Sequence, residues 1–312
     1  MRNPADMRLS IIIPTYNRGD RITATLESIT TQTLLPHEVI VVIDGSTDNT
    51  ADVVKKFSSK LPLTVVEIPN GGRSVARNTG VARSTGDLLV FFDDDMRLFP
   101  DCLSDHLDHH QKYPGSLFVG AIREDEKLFV TDIQQYRLSL YERKGWVNQE
   151  QSAPEPMNES NLYLAAANFS IDRKSFNALS GFDERLRDSE DFDLGARALK
   201  EGYSIYGSNS SAFAYHDDPI TCRYYISRQR QYYQSRTQLR NMKPELYRNR
   251  PKDYSVKVSG IKKIIFSLFA NGTMVKLVDS GLLKWVLPRP LRYKFYDLVI
   301  GGMSDIFPER RL

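Results

Sequence analysis

The chain has 312 residues, 41% hydrophobic and 26% charged. That composition is ordinary for a soluble globular protein and excludes a low-complexity chain. The formal charge of +3 conceals two parts of opposite sign, since residues 220–312 sum to +13 and residues 1–219 to −10.

Cys102 and Cys222 are distant and unpatterned, which points to neither a zinc site nor a disulfide framework but to a reducing compartment. The opening MRNPADMRLS lacks the apolar core of a signal peptide. No run of about 18 apolar residues occurs, so a spanning helix is not expected. These readings predict a cytoplasmic protein.

In chain order, strand-like apolar runs occur at 9–13, 38–43, 63–68, 88–92 and 117–121. Helical segments are predicted between them, at about 20–31, 47–59, 73–84 and 101–112. Near-continuous apolar strands alternating with helices predict an α/β fold, a mainly parallel sheet with helices on both faces. Residues 123–160 are polar and mixed and read as an insertion or lid. A further strand is predicted over 162–170, a helix over 173–179, and an acid-capped amphipathic helix from Asp191. Two short strands follow in 203–216, ending at His216.

In such sheets ligands bind outside the carboxyl ends of the strands. That rule gathers Pro14, Thr15, Tyr16 and Asn17 after the first strand and Asp44, Gly45 and Ser46 after the second. Asn70, Gly71, Gly72 and Arg73 follow the third, and Asp93, Asp94 and Asp95 the fourth. Three adjacent carboxylates repel one another and resist placement beside an apolar strand. NGGR lacks the spacing of a P-loop, and no G-x-G-x-x-G follows the first strand, so a nicotinamide cofactor is not expected.

The ordered motifs SIIIPTYNR, VIDGSTDNT, NGGRSVARNTG, FFDDDM, GFDERL and SEDFDL resemble those of family 2 inverting glycosyltransferases, over about residues 8–218. The resemblance implies a GT-A fold and transfer of one sugar from a nucleotide-sugar, with a UDP-sugar expected, to an acceptor hydroxyl. It implies Asp191 as catalytic base, Glu190 as the residue that holds an acceptor hydroxyl, and Asp95 with His216 as ligands of Mn²⁺ or Mg²⁺. A hard cation between a diphosphate and carboxylates would offset the repulsion within the Asp triplet. Asp93 and Asp94 are then expected to face ribose or metal-bound oxygen. Tyr16 is expected to stack on the base, with Pro14 and Asn17 beside it. Asp44 is expected to accept from the base, and Arg73 or Arg77 to approach base or diphosphate. Where the family often has two aspartates, this chain has Ile43-Asp44, which removes one ribose contact. Asn168 and Gly181-Phe182-Asp183 are expected to shape the acceptor side. The Gln-x-x-Arg-Trp motif of processive synthases is absent, which favours single-sugar transfer.

His106, His109 and His110 include an i, i+4 pair with zinc-like spacing, but no further ligand pattern supports it, so they read as a solvated helix face. Residues 219–312 read as a basic, amphipathic helical extension. Its segment 261–287 suits an anionic membrane interface at the inner face, with a lipid-linked glycan or polysaccharide acceptor. Packing on the body or a second copy of the chain is the other partner that segment allows. No nucleic-acid motif accompanies the basic, aromatic stretch at 223–250. The rival functions are a sugar-phosphate nucleotidyltransferase, for which PTYNRGD is a poor match, and a catalytically silent nucleotide-sugar-binding scaffold.

Overall fold

The computed structural model describes residues 7–143, 153–216, 220–247 and 258–312. They divide into two compact units. The first comprises Met1–Glu124, Glu150–Asp217 and Lys243–Asn249, and the second Asp125–Gln149, Asp218–Met242 and Arg250–Leu312.

The chain opens with β1 (Leu9–Thr15), α1 (Ile22–Thr30), β2 (Glu38–Asp44), α2 (Thr50–Lys55), β3 (Leu63–Ile68), α3 (Arg73–Arg83) and β4 (Leu88–Phe92). Next come β5 (Met96–Leu98), α4 (Cys102–Lys112), β6 (Leu117–Val119), β7 (Ile122–Arg123), α5 (Asp132–Arg143), β8 (Glu155–Pro156) and β9 (Asn168–Asp172). They are followed by α6 (Arg173–Ala178), α7 (Glu190–Lys200), β10 (Ile205–Gly207), β11 (Ala214–His216) and α8 (Cys222–Met242). The described chain closes with α9 (Ile261–Phe269), α10 (Gly272–Asp279), α11 (Leu283–Val286) and α12 (Arg289–Gly301).

In the first unit an eight-stranded sheet has the order β3-β2-β1-β4-β9-β6-β10-β8. β1 lies parallel to both β2 and β4, β2 parallel to β3, and β9 antiparallel to β4 and β6. Successive side chains leave a strand on opposite faces. Ile11 and Ile13 of β1 therefore enter one core with Leu26, Val41 and Val90, while Ile12 enters the other with Val42, Phe91 and Phe169. Both faces are covered, which is why these strands read as near-continuous apolar runs.

A second, three-stranded sheet has the order β5-β11-β7. Its antiparallel register sets His216 opposite Met96, directly after the Asp triplet. The strand expected over 162–170 begins only at Asn168. Leu162, Leu164 and Ala166 alternate as a strand would and are buried, but a turn bond from Asn168 N to Ala165 O (3.2 Å) breaks the extended run. Gly195 of α7 leaves the close space in which Leu162 and Leu164 pack.

The three histidines of α4 overturn the expectation of a solvated face, because all are buried. His106 Nε2 lies 2.8 Å from Asn168 Oδ1 and its Nδ1 2.8 Å from Ser170 Oγ. The amide oxygen only accepts, so Nε2 carries the proton and Nδ1 accepts from Ser170. Ser170 Oγ in turn accepts from His110 Nε2, 2.8 Å away. Burial pushes His106 and His109 down to about 4, so these rings are neutral near pH 7. His109 stacks on Phe118 with ring centroids 4.1 Å apart. Both ring nitrogens of His106 and the Nε2 atoms of His109 and His110 are held by Ser170, Asn168 and Ser116.

Asn168, expected on the acceptor side, is fully buried and acts as a brace. Its amide nitrogen donates to Ala212 O (2.6 Å) and Ala121 O (3.1 Å), beside β11 and β7. It thereby ties the large sheet to the strands that carry His216.

The second unit has its own core, built from Ile133 and Tyr136 of α5, Ile226 of α8, Val275 of α10 and Tyr296 and Val299 of α12. The helix inside the segment read as an insertion thus belongs to this core. Asp132 accepts from Arg292 Nη2 (2.9 Å) and from the Tyr296 hydroxyl (2.6 Å). Among the described residues no helix is long and apolar enough to cross a membrane.

Replacing Asn168 by Ala strands the buried Ala212 carbonyl and one imidazole N–H, while Ala121 O keeps its bond from Ala214 N. Each unsatisfied group costs roughly 1–3 kcal/mol, so urea unfolding of Asn168→Ala is expected to show a loss of about 2–4 kcal/mol.

Candidate active site

The parallel register of β1 with β2, in which Thr15 faces Ile43, brings the loops at their carboxyl ends side by side. Tyr16 is half exposed there. Asn17 adopts a left-handed φ of 50°, its N–H donates to Ser46 Oγ (2.9 Å) and its side-chain oxygen accepts from Thr47 N (2.8 Å). Pro14 lies within β1, buried and paired opposite Val42, so Tyr16 and Asn17 rather than its ring form the exposed surface of this loop.

Asp44 is buried, and its two carboxylate oxygens accept from Gly71 N (2.6 Å) and Gly72 N (2.9 Å). Gly72 has φ 90°, a conformation that favours glycine. A Cβ on Gly45 would lie 2.7 Å from Asn70 N. These two glycines let the second and third loops close on one carboxylate. Arg73 is exposed at the first turn of α3.

The Asp triplet turns away from β4 with each carboxylate facing a different partner. Arg77 of α3, only 2% exposed, donates from Nη2 to Asp93 (2.6 Å) and from Nη1 to Glu190 at the start of α7. Its guanidinium also lies over the Phe182 ring, 5.6 Å from the centroid. Arg77, expected to approach the donor, is instead enclosed by two carboxylates and holds the rim together. Asp94 is buried with Arg18 Nε 4.0 Å away, and burial together with the Asp95 charge pushes it up to about 7. Asp95 Oδ1 lies 3.2 Å from His216 Nε2. Burial alone would raise Asp95, but His216, with help from Arg18 and Arg21, outweighs it and holds the carboxyl at about 2.

The Asp95–His216 pair fits a divalent cation. Neighbouring ligands around a six-coordinate Mg²⁺-sized ion sit about 3 Å apart. Asp95 Oδ1 is buried without a hydrogen-bond partner. Among the described residues no group of three or more His, Cys, Asp or Glu side chains is placed to hold a metal ion. Of the described residues, Asp95 and His216 would supply two ligands here, and phosphate oxygens or water would complete the shell.

Glu190 and Asp191 open α7 after Ser189, a non-glycine residue at a left-handed φ of 63°. Glu190 is buried against Arg77. Asp191 accepts from Phe192 N (2.7 Å) and, more weakly, from Ala166 N (3.3 Å), the backbone of the irregular 162–167 stretch. Burial and the adjacent Glu190 charge push Asp191 up to about 7, against the pull of Arg77. Gly181, Phe182 and Asp183 form a turn latched by Asn78, which donates to Phe182 O (2.9 Å) and accepts from Phe182 N (3.1 Å). Asp183 meets Lys243 (2.7 Å), which also meets Asp193 (2.6 Å). The sequence reading missed the supporting roles of Asn78, Arg18 and Lys243. The first stands in the quoted NGGRSVARNTG motif, whereas nothing in the pattern around Lys243 marks it.

A parallel sheet with an acid-rich carboxyl edge, an inserted antiparallel strand and a small sheet returning a histidine to the acids defines the GT-A class of nucleotide-sugar transferase folds. Residues 10–176 match the family model described as Glycosyl transferase family 2. The chain belongs to that family. It is 31% identical over 201 residues to an uncharacterized glycosyltransferase of Haemophilus influenzae, covering 62% of each. The matched stretches span 18% to 62% of the lengths of the first five curated relatives. The structure resembles Staphylococcus aureus TarS 1–349 in complex with UDP (TM-score 0.56, 19% identity, 97% of this chain and 91% of that one). TarS carries the name poly(ribitol-phosphate) beta-N-acetylglucosaminyltransferase. The structure also resembles the mannosyltransferase PcManGT of Pyrobaculum calidifontis in complex with GDP-Man and Mn²⁺ (TM-score 0.62, 17% identity, 97% and 89%).

Removing one partner of a buried ion pair leaves an uncompensated charge and costs about 3–5 kcal/mol. Arg77→Met strands both Asp93 and Glu190, so chemical denaturation is expected to show a loss at least at the upper end of that range. Arg73→Met, at an exposed position, is expected to leave stability within about 0.5 kcal/mol of the parent.

Proposed function

We propose that this protein is a metal-dependent, inverting glycosyltransferase that moves one sugar from a nucleotide-sugar, with a UDP-sugar preferred, to an acceptor hydroxyl. The observation that carries this reading is the single ion-pair chain on the rim. Arg77 joins the acid triplet that would face a diphosphate to Glu190, next to a carboxyl poised near pH 7.

In this reading the donor base lies against Tyr16 and the Asn17 and Asp44 loops. Asp95 and His216 hold the cation, with Asp93 and Asp94 toward ribose or metal-bound oxygen. Bound there, Mn²⁺ or Mg²⁺ supplies charge neutralisation to the departing diphosphate. Asp191 accepts the acceptor's hydroxyl proton as that oxygen bonds to the anomeric carbon. The bond from that carbon to the diphosphate oxygen breaks with its electron pair leaving on the diphosphate. Glu190, fixed by Arg77, holds Asp191 in place and keeps its basicity high by like-charge repulsion.

The UDP preference is supported by the likeness to TarS with UDP and with UDP-GlcNAc, and the metal by PcManGT with Mn²⁺. A growing glycan, carried on lipid at the inner membrane face, is the acceptor class proposed. It is supported by the poly(ribitol-phosphate) transferases among the relatives and by the basic second unit.

Asp191→Asn is expected to lower release of nucleoside diphosphate by about 10²–10⁴-fold while donor binding persists. A base must be deprotonated to act, so kcat/KM in the parent should be low below pH 7 and rise through an apparent pKa of about 7. A parent that binds nucleotide-sugar but releases no nucleoside diphosphate would leave a nucleotide-sugar-binding scaffold, whereas an active Asp191→Asn with a flat profile would overturn Asp191 as the base. Two protein ligands bind a divalent cation weakly, so calorimetry should show Mn²⁺ and UDP each strengthening the other's binding. Asp95→Ala should remove that coupling.

A further inference from the structure

α9 carries six apolar residues against Lys262, Lys263 and Ser267, an apolar surface wide enough to need cover on more than one side. Its inner side is covered: Phe269 packs edge-on against Phe295 at 5.2 Å, and Ala270 is buried in the second core. Its outer side is bare. Ile261, Ile264 and Leu268 are 76%, 62% and 67% exposed and recur at i, i+3 and i+7, with Ile265 beside them. In the same unit Trp285 and Val286 of α11 are 86% and 74% exposed.

Charge selects among the surfaces that would cover these residues. From Ile261 to Lys294 the chain carries seven Lys or Arg and one acid. That acid, Asp279, is engaged: its carboxylate accepts from Cys222 N (2.5 Å) and Arg223 N (3.3 Å) at the start of α8. Lys262, Lys263, Lys284 and Arg289 are exposed beside the apolar residues. A two-fold contact with a second copy would set this patch against itself, with like charges meeting and no acid between them. An anionic lipid surface instead meets every requirement: aliphatic side chains enter the acyl boundary, tryptophan suits the headgroup level, and lysines face lipid phosphate. Nine residues of helix extend about 14 Å, too short to span a bilayer and suited to lying in its plane.

We propose that the outer side of α9 and the Trp285 end of α11 dock this protein onto an anionic lipid surface. This surface stands apart from the transfer chemistry but rests on the same membrane placement as the acceptor proposed above, so lost vesicle binding with nucleoside-diphosphate release intact overturns the docking and leaves the transferase reading standing.

The test is sedimentation of the full chain with vesicles of equimolar phosphatidylglycerol and phosphatidylcholine, against phosphatidylcholine alone. The chain is expected to pellet with the mixed vesicles and stay in solution with the neutral ones. Each lysine at an anionic surface is worth about fivefold, so Lys262→Ala/Lys263→Ala should lower partitioning roughly 30-fold. Ile264→Glu/Leu268→Glu should abolish it with the thermal midpoint unchanged. In a Trp146→Phe background, Trp285 emission should shift to the blue on the mixed vesicles. A chain that remains in solution with both vesicle types overturns the proposal, and so does equal pelleting with neutral lipid. Light scattering that shows a dimer in the parent and a monomer in Ile264→Glu/Leu268→Glu, without vesicle binding, assigns the surface to a second copy instead.

Discussion

Three carboxylates in a row at the end of a buried strand set the terms for the rest of this fold. Mutual repulsion and desolvation both oppose that placement. The structure answers by drawing the three apart onto different partners: Asp93 onto Arg77, Asp94 toward Arg18, Asp95 onto His216. Each partner comes from a different part of the chain. Arg77 comes from the helix after β3, Arg18 from the loop after β1, and His216 from a strand more than a hundred residues downstream. The β5–β11 pairing exists in register with that need, since any slip of one residue would turn His216 to the other face of the small sheet.

Arg77 does more than balance Asp93. Its second arm reaches Glu190, so the same buried cation fixes the amino end of α7 against the acid loop. The arrangement explains why a serine tolerates a left-handed φ just before α7: the turn delivers Glu190 inward to Arg77 and leaves Asp191 partly open. Backbone strain of this sort persists where surrounding contacts over-determine it. An acidic first turn is favourable at any helix amino end. Here the dipole alone does not account for Glu190, which is buried and ion-paired rather than solvated.

Much of this was legible from residue order. The alternation of apolar runs with helical segments placed β1 to β4 and α1 to α4 close to where they stand, because strands covered on both faces leave an unbroken apolar signature. The rule that ligands gather at carboxyl strand ends then brought Tyr16, Asp44 and the Asp triplet together. What remained hidden depended on partners distant in sequence. The spacing of His106 and His110 shows that they share a face of α4 but not that the face looks inward toward Ser170. Leu162, Leu164 and Ala166 alternate like a strand, yet the backbone there turns and offers an N–H to Asp191. Arg77 reads as a donor ligand from its motif, and only its burial between Asp93 and Glu190 shows the different role. Lys243 stands in a basic run with nothing to mark that two carboxylates of the first unit hold it.

The second unit shows the same limit at the level of whole segments. A boundary drawn at residue 218 follows the change in charge along the chain, but a hydrophobic core is assembled without regard to chain order. α5 mixes apolar with polar and charged residues, so its pattern is that of a polar insertion. Ile133 and Tyr136, with Leu140 packed against them, sit in a core whose other buried members lie beyond residue 219. The buried Asp132–Arg292 pair, 160 residues apart, makes the dependence electrostatic as well. A charged group enters a core at low cost only with its partner in place. A chain cut at residue 218 would keep Asp132 and Tyr136 while losing Arg292, Tyr296 and Asp297, the groups their polar atoms meet. The first unit's acid rim and the second unit's core therefore follow one rule. In each, a buried carboxylate recruits a distant cation, and that recruitment rather than chain order decides which segments belong together.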